Sequence, residues 1–469
     1  MTTRIETDSM GEMSVPKEAL YGASTQRAVL NFPVSGQVIP CSIIHAYGLI
    51  KWAAARANGA LGLLPKDKAK LIEQAALEIA EGKLDAHFVL DIYQTGSGTS
   101  TNMNVNEVIS NRACQIAGTP IGTKDPVHPN DHANKGQSSN DTFPTSVHLA
   151  VAQELTNKLL PALEKLQAAL AQKGSEFMEV IKIGRTHLMD ATPVRLGQEF
   201  HGYARQIERG VSRVHHAIET VTELPLGGTA VGTGLNRHPD FPAKTIQLLV
   251  EKTGIPFREA KDHFEAQSAK DSLVEVSGQL KTIATSLFKI ANDVRWLGSG
   301  PQCAIGEIAL PATQPGSSIM PGKVNPVMCE SLMQVCARVF GNDATVTWCA
   351  AAGSNFELNV MMPVLGTALL DNIELLATST QLFRKRCVEG ITARKEHCND
   401  LIESSLAMAT GLIPKLGYDK AAVIAKESAS TGITVRKLCL DRLDELGFTV
   451  AELNEALDPA KMCAPDFVA

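Results

Sequence analysis

Apolar residues recur at helical spacing over long stretches in the middle of the chain, and this periodicity constrains the fold more than any other feature. From Val151, leucines follow at 155, 159, 163, 166 and 170, on one face of a long amphipathic helix that Pro161 is expected to kink. Similar stripes cover about 265–297, 327–350 and 360–385, whereas period-2 alternation is limited to short pieces such as 180–183. Helices of this length predict a mainly helical, all-α fold with a central bundle of long helices.

Glycine and proline concentrate at 95–98, 121–130, 225–241 and 311–326 and leave long loops between the helices. Long loops inside a compact domain are usually functional or disordered. The composition shifts again after about residue 395. We therefore expect three parts: an N-terminal domain (1–137), a central long-helix bundle (138–395) and a small C-terminal helical domain (396–469).

Charge and hydropathy exclude several classes of protein. Forty-four basic against 50 acidic residues give a net charge of −6 without basic clusters, which argues against nucleic-acid binding. With 44% hydrophobic residues the chain is too apolar to be disordered, and it lacks the ~20-residue apolar run of a membrane span. The first residues resemble neither a signal peptide nor a transit peptide, so we expect a cytoplasmic protein.

The ten cysteines are scattered and form no C-x-x-C pair, so the usual zinc and iron–sulfur spacings are absent from the sequence. Cys329 and Cys336 lie seven residues apart, which on a helix predicts two neutral buried thiols on one face. We expect no disulfide framework in a cytosolic chain of this length. The sequence predicts no metal site and no cofactor.

Four segments place polar groups in turns defined by glycine or proline. They are 96–102, 128–131 with 136–141, 184–187 and 316–326. Taken singly, runs of Ser, Thr and Asn mostly cap helices and form turns. Asn325 followed by Pro326, for example, fits an N-cap and a proline in the first turn of the helix predicted after it.

The segment 316–326 has no acidic residue and carries one cation, Lys323. It differs from a nucleotide-binding phosphate loop, because five residues rather than four separate Gly316 from Gly322. Pro321 also removes an N–H, and Val324 stands where such a loop has its magnesium-binding Ser or Thr. A serine flanked by glycine near a lysine suits the binding of an anion and the removal of a proton next to it.

The sequence GSSIMPGKVNP at 316–326 resembles the signature loop of the fumarase/aspartase superfamily, whose members cleave C–O or C–N bonds and release fumarate. Segments 21–27, 97–102, 138–141, 186–187 and 417–422 match in the same order, so the resemblance covers essentially the whole chain. Thr186-His187 and Cys329-Glu330 resemble class II fumarases, the iron-independent type, whereas aspartases carry Thr-Gln at the first pair.

The resemblance implies reversible hydration of fumarate to (S)-malate, a step of the tricarboxylic acid cycle, through an aci-carboxylate intermediate and without a cofactor. It implies Ser317 as the base and His187, polarised by Glu330, as the proton relay through a bound water. A serine is normally a very poor base, so it needs N–H donors of its own turn, Lys323 or a helix N-terminus; simple capping by Ser317 is the alternative. The implied substrate-binding residues are Ser97, Gly98, Thr99, Ser138, Ser139, Asn140, Thr186, Ser318, Lys323, Val324 and Asn325.

The family also has an accessory dicarboxylate site. The residues that fall there are His128, Pro129, Asn130 and Asp131. Where the family has a basic residue shortly before them, this chain has Asp125 beside Lys124, and a proline-defined turn with an Asx cap is the alternative. The resemblance further implies a homotetramer whose active sites are shared between three subunits, with fumarate and malate as the small-molecule partners.

Three other functions make different predictions. An aspartate ammonia-lyase is disfavoured by His187 and by Cys329-Glu330. A non-catalytic relative, like the superfamily members recruited as lens crystallins, predicts the loss of at least one reactive group, yet all are present. A nucleotide-binding protein is inconsistent with the spacing of the 316–326 loop.

Overall fold

A computed structural model describes residues 2–464, and helices dominate this part of the chain. The helices of the first half are α1 (Ala23–Asn31), α2 (Cys41–Ala60), α3 (Lys66–Ala80), α4 (Thr99–Ala117), α5 (Ser139–Glu154), α6 (Leu160–Glu176), α7 (Leu196–Thr220) and α8 (Phe241–Thr253). The next four are α9 (His263–Ser268), α10 (Asp271–Leu297), α11 (Val327–Gly353) and α12 (Met362–Arg386). Seven short helices follow: α13 (Lys395–Ser404), α14 (Ile413–Leu416), α15 (Tyr418–Thr431), α16 (Val435–Leu440), α17 (Leu443–Leu446), α18 (Val450–Ala456) and α19 (Pro459–Met462).

Strands form small two-stranded pairs. These are β1 (Thr3–Asp8) with β2 (Gly11–Pro16), β3 (Ile181–Thr186) with β4 (Met189–Arg195), β5 (Glu223–Leu224) with β6 (Arg258–Glu259), β7 (Ile308–Ala309) with β10 (Thr392–Ala393), and β8 (Ser354–Asn355) with β9 (Leu358–Asn359). All are antiparallel except β5–β6. The prediction of a mainly helical fold is confirmed, and the alternation at 180–183 marks the start of β3.

The helix is irregular just before Pro161, while the predicted kink itself stays a prediction. A single π-helical turn, Leu155–Leu159, joins α5 to α6 directly before the proline. Proline has no N–H to give to the preceding turn, and a wider turn is one way in which a helix accommodates that loss. The leucine stripe therefore continues, with Leu155, Leu163 and Leu170 all fully buried.

The stripe predicted over 265–297 is two helices rather than one. The chain turns extended at Ala269, between α9 and α10. Lys270 is buried there, and its Nζ donates to the carbonyl oxygens of Ala266, Gln267 and Ala269, each at 2.8 Å. These carbonyls lie at the end of α9, where the next turn of helix no longer supplies N–H donors. The Lys270 side chain therefore caps α9 before α10 begins.

The described chain divides into two compact units. One consists of 1–161, 211–284 and 335–378, and the other of 162–210, 285–334 and 379–469. Their boundaries fall inside long helices, whereas the sequence predicts boundaries at 137/138 and 395/396; that three-part division stays a prediction. None of the helices within residues 2–464 is both long and apolar enough to cross a membrane.

Each unit has its own apolar core. In the first, α2 packs against α3, α5 and α8, and the α2 side chains Ile43, Tyr47 and Ile50 are buried. In the second, Leu412, Ile424, Leu438 and Leu453 form a cluster from the C-terminal helices. The cores fix the helices whose ends carry the polar segments.

Cys329 and Cys336 are both buried on α11, as the seven-residue spacing predicts. Burial raises the pKa of the Cys336 thiol to about 12, which keeps it neutral at physiological pH. All ten cysteines are free thiols.

Candidate active site

The 316–326 segment forms a loop between β7 and α11 that is closed at its base by its own hydrogen bonds. The Gly316 N–H donates to the Lys323 carbonyl oxygen at 2.8 Å. The Asn325 side-chain amide donates to the Gly316 carbonyl oxygen at 2.7 Å. A Cβ on Gly316 would lie 2.5 Å from the Lys323 carbonyl oxygen, so the closure requires glycine here.

The N-cap role predicted for Asn325 stays a prediction, because an N-cap accepts through its side-chain oxygen, whereas the observed bond is made by the amide nitrogen. The amide nitrogen is directed at Gly316, nine residues earlier, so the side chain ties the loop together. The helix begins after Pro326, whose carbonyl oxygen accepts from the N–H groups of Cys329 and Glu330 at 3.0 and 3.2 Å. The second amide N–H and the amide oxygen of Asn325 remain available to a ligand.

Ser317 lies inside this loop, and its Oγ accepts hydrogen bonds from two backbone N–H groups. The donors are Ile319 at 3.2 Å and Met320 at 3.1 Å. The N–H donors expected from the turn around Ser317 are therefore present, although they belong to the residues two and three positions further along the chain. N–H groups directed at an oxygen stabilise its deprotonated form. A serine base needs such bonds. They also occur in ordinary serine turns, so they do not by themselves identify a base.

Ser317 and Lys323 line the same cavity, of about 520 Å³. Lys323 is exposed, and within residues 2–464 no acceptor takes a hydrogen bond from its ammonium group. Val324 also lines the cavity, and both Val324 and Ser318 are exposed. An anionic ligand suits this arrangement, because an unpaired cation lies beside a serine oxygen that accepts two hydrogen bonds.

His187 stands at the tip of the β3–β4 hairpin. Thr186 pairs with Met189, so His187 and Leu188 form a two-residue turn, with φ of 57° and 61°. Positive φ at both positions is the type I′ geometry, which usually takes Asn and Gly, and non-glycine residues adopt it at a cost. The strained turn leaves His187 exposed.

A buried ion network holds the other end of this hairpin. Lys182 is 1% exposed, and its Nζ lies 2.9 Å from Glu199 Oε1 and 3.1 Å from Glu307 Oε2. Arg185 donates to the same Glu307 oxygen at 2.9 Å, and Glu307 is fully buried. Burial raises the pKa of Glu199. These residues were not identified from the sequence. The signal that the sequence offers is Lys182, a lysine within the apolar alternation at 180–183.

The structure does not bring His187 and Glu330 into contact. Glu330 is half-buried in the first turn of α11. Neither side chain forms a hydrogen bond or ion pair with any residue of the described chain. The pairing of Glu330 with His187 thus stays a prediction.

In the other unit, two helix N-termini meet. The Ser97 and Thr99 hydroxyls are 2.8 Å apart, and Thr99 Oγ1 lies 2.7 Å from Ser139 Oγ. Gly98 precedes α4 with a φ of 73°, and Ser138 caps α5 by accepting from the Asn140 N–H at 3.2 Å. The positive ends of two helix dipoles favour an anion here. The predicted segments 97–99 and 138–140 are therefore brought together.

A buried lysine lies beneath these helix ends. Lys51 donates to the side-chain oxygens of Asn102 and Asn134, both at 2.9 Å. Burial lowers the pKa of Lys51 to about 7. Asp141, also fully buried, accepts from the N–H groups of Ser138, Gly227 and Thr229, and its burial raises its pKa. Sequence analysis did not identify Lys51, because a single lysine in a long helix resembles a surface residue.

The shifted pKa of Lys51 makes stability depend on pH. The unfolded chain holds this proton up to about pH 10.5 and the folded chain only up to about pH 7, so the cost of burying the charge disappears as the pH rises between these values. Relative to Lys51→Met, the wild type should therefore gain about 2 kcal/mol of unfolding free energy from pH 7 to pH 9. Urea unfolding at one protein concentration measures this, with Lys66→Met, an exposed lysine, as the control. A pH-independent difference would contradict the shifted pKa.

The accessory-site segment folds as a turn that histidine caps. His128 Nδ1 accepts from the N–H groups of Asn130 and Asp131, at 3.3 and 3.1 Å, at the start of the π-helical turn Pro129–Ala133. The turn is thus proline-defined as expected, but its cap is an imidazole nitrogen rather than an Asx side chain. The His128 N–H donates to His132 Nδ1 at 2.7 Å. Dicarboxylate binding there stays a prediction.

The chain is similar to known proteins over nearly its whole length. The model of the lyase family matches residues 11–341, and the model of the fumarase C C-terminus matches 408–464. The chain is 50% identical to mitochondrial fumarate hydratase of Saccharomyces cerevisiae, covering 98% of this chain and 94% of that protein. It is 48% identical to class II fumarate hydratase of Neisseria meningitidis, covering 99% and 100%.

Two solved structures are also similar over nearly the whole chain. One is a class II fumarase from Schistosoma mansoni, with a TM-score of 0.94 and 39% identity over 99% of this chain and 100% of that one. The other, described as a fumarate lyase:delta crystallin from Brucella melitensis bound to cobalt, has a TM-score of 0.94 and 43% identity with the same coverage.

Proposed function

Because the chain belongs to the class II fumarate hydratase family, we propose that it catalyses the reversible hydration of fumarate to (S)-malate. The observation that carries this proposal is the environment of the Ser317 hydroxyl. Its oxygen accepts hydrogen bonds from two backbone N–H groups, and Ser317 and Lys323 line the same cavity. That arrangement suits the removal of a proton beside a carboxylate, because it stabilises negative charge both on the base and on the substrate.

In the dehydration direction, deprotonated Ser317 takes the proton from the carbon beside one carboxylate of malate. The C–H electron pair moves into that carboxylate and forms the aci-carboxylate, whose added charge Lys323 and Asn325 stabilise. The C–O bond then breaks, and the departing hydroxide takes a proton from His187 through a bound water. The products are fumarate and water, and Glu330 keeps His187 basic enough to recover its proton.

The remaining polar groups bind the two substrate carboxylates. They are Ser97, Gly98, Thr99, Ser138, Ser139, Asn140, Thr186, Ser318 and Val324. The paired N-termini of α4 and α5 supply N–H donors and hydroxyls, which suit one carboxylate end of a dicarboxylate. The loop at 316–326 supplies the cation for the other.

The functional assembly is a homotetramer whose active sites are shared between three subunits. Support for an extensive interface comes from α11, where exposed small and aromatic residues recur at helical spacing. The stripe comprises Ala337, Phe340, Ala344, Trp348 and Ala351. Trp348 is 71% exposed, which is unusual for so large an apolar side chain and is typical of a surface that another helix covers. The exposed imidazole of His187 also fits a site that one chain leaves incomplete.

Trp348→Glu should dissociate the assembly and abolish activity. A charge in the middle of an apolar helix interface is costly to bury, while the exposed side chain contributes little to the fold of one chain. Sedimentation velocity and malate dehydration by the same sample measure both effects. Val450→Glu, an exposed apolar residue in the C-terminal helices, is the control. A monomeric variant with full activity would contradict a shared site.

The proposed reaction is tested with chelator-treated protein, (S)-malate and aspartate in parallel cuvettes, following fumarate by its ultraviolet absorbance. Fumarate from malate alone supports a hydratase whose reaction needs no metal. Fumarate from aspartate alone would overturn the proposal in favour of an ammonia-lyase, and no fumarate in either would favour a non-catalytic relative.

The proposed location is cytoplasmic, and the proposed organisation keeps the three sequential parts 1–137, 138–395 and 396–469. Relatives from yeast and Arabidopsis are named mitochondrial, so fractionation of the native organism is the deciding measurement.

An accessory dicarboxylate site at His128–Asp131 completes the proposal. It predicts a second malate-binding event that Asn130→Ala weakens without changing kcat.

A further inference from the structure

Three side chains with different donor atoms meet at the start of α2. Cys41 is the first residue of the helix, His45 lies one turn further on, and Asp85 begins a 3₁₀ turn from Asp85 to His87. The thiol sulfur, an imidazole nitrogen and a carboxylate oxygen all lie within 4.8 Å of one another. The His45 Nε2 and Asp85 Oδ1 atoms are 2.9 Å apart, so two of the three are already in contact.

This donor set has the chemistry of a zinc site. Sulfur, imidazole nitrogen and carboxylate oxygen are the three ligand types that Zn²⁺ takes, with ligand distances of about 2.0–2.3 Å. Calcium and magnesium prefer oxygen ligands alone, so a thiolate selects against them. The i, i+4 spacing of Cys41 and His45 directs both side chains to one face of the helix, as in other helical zinc sites.

The surroundings leave room and supply negative potential. A cavity of about 380 Å³ is lined by Cys41 and His45, and Glu154 and Glu374 line it too. Lys158 pairs with both of these carboxylates, at 2.6 and 2.7 Å. The carboxylates outnumber this cation, so a positive ion is favoured in the cavity.

Gly82 keeps the approach to the donors open. A Cβ at this position would lie 3.2 Å from His45 Nε2 and 3.4 Å from Asp85 Oδ2, in the space beside both donors. A glycine here therefore leaves a gap next to the imidazole and the carboxylate where a larger residue would intrude. Cys41 is exposed, so an ion can reach the sulfur from solvent.

We propose that Cys41, His45 and Asp85 bind a thiophilic divalent cation of the zinc type, with water as the fourth ligand. The Cys41 proton passes to solvent when the sulfur–metal bond forms, and the imidazole binds in its neutral form. None of the three residues belongs to the segments proposed to bind fumarate, so the site is independent of the hydratase reaction.

Cobalt is the probe, because Co²⁺ takes zinc sites and a thiolate ligand gives it a near-ultraviolet charge-transfer band. The reduced, chelator-stripped full chain is titrated with Co²⁺ and then with Zn²⁺. We expect one equivalent of Co²⁺ to develop the band and Zn²⁺ to displace it. His45→Gln and Asp85→Asn keep the thiolate and should weaken binding about 10- to 100-fold each.

Cys41→Ser should remove the charge-transfer band, and Cys303→Ser, at another exposed thiol, should leave it unchanged. Both variants alter exposed side chains and should retain hydration of fumarate, which verifies that they fold. The proposal is overturned if the wild type binds no Co²⁺ at one equivalent or if the band persists in Cys41→Ser. Wild-type affinity in both His45→Gln and Asp85→Asn would equally overturn it, since the thiol would then act alone.

Discussion

Ser317→Ala should lower kcat for malate dehydration by about 10²- to 10⁴-fold while leaving KM nearly unchanged. The Ser317 oxygen is the proposed base, and the N–H groups of Ile319 and Met320 are arranged to stabilise its charged form. Alanine removes the oxygen that accepts the proton. Lys323 and the paired helix N-termini, which are proposed to bind the substrate carboxylates, are left in place.

Steady-state kinetics in both directions measure this effect, with the oligomeric state checked on the same samples. Thr313→Ala is the matched control, because Thr313 lines the same cavity and has no proposed role. Its kinetics should match those of the wild type. Turnover by Ser317→Ala within a few-fold of the wild type would mean that Ser317 only closes its turn.

Glu307→Gln should cost about 3 kcal/mol or more in the free energy of unfolding. Glu307 is fully buried, and one of its oxygens accepts a hydrogen bond from Arg185 and forms an ion pair with Lys182. The amide removes the negative charge that compensates two cations, although its oxygen can still face both of them. Lys182, which is almost completely buried, then keeps only Glu199 as its anionic partner.

Urea unfolding at one chain concentration, with wild type and variant in parallel, measures the loss. Asp441→Asn is the control, because it removes an ion pair with Lys437 on an exposed helix surface. Exposed i, i+4 pairs contribute about 0.3–0.5 kcal/mol, so this variant should unfold almost like the wild type. Equal, small effects in both variants would show that the buried network is not structurally important.

The helical periodicity predicted most of the fold correctly because burial of one face repeats along the chain. The stripes at 327–350 and 360–385 correspond to α11 and α12 within a few residues at each end. The prediction of a single helix over 265–297 was wrong. Periodicity does not reveal that the Lys270 side chain donates to the last carbonyls of α9 and so ends that helix. Pro161 marked the place where the helix is irregular, and the π-helical turn before it is a response of the backbone that no residue pattern specifies.

The candidate site was predictable where its chemistry is carried by short, specific motifs. The segments that carry Ser317, Lys323, Thr99, Ser139 and His187 were identified from the sequence, and their proposed roles came from the resemblance to the family. The hairpin that carries His187 was not predicted. Lys51 and Glu307 were missed, because a charged residue usually lies on the surface and its burial depends on partners far away in the chain. Lys51 meets Asn134 across 83 residues, and Arg185 meets Glu307 across 122.

The sequence alone therefore determined the mainly helical character of the chain, the identity of its reactive segments and its family, since periodicity and motifs are local properties. Only the tertiary structure decided which N–H groups face the Ser317 oxygen, which charges are buried in pairs, and that Cys41, His45 and Asp85 come together. Those properties depend on distances through space between distant segments. Packing of the apolar faces sets these distances, and a one-dimensional pattern does not contain them.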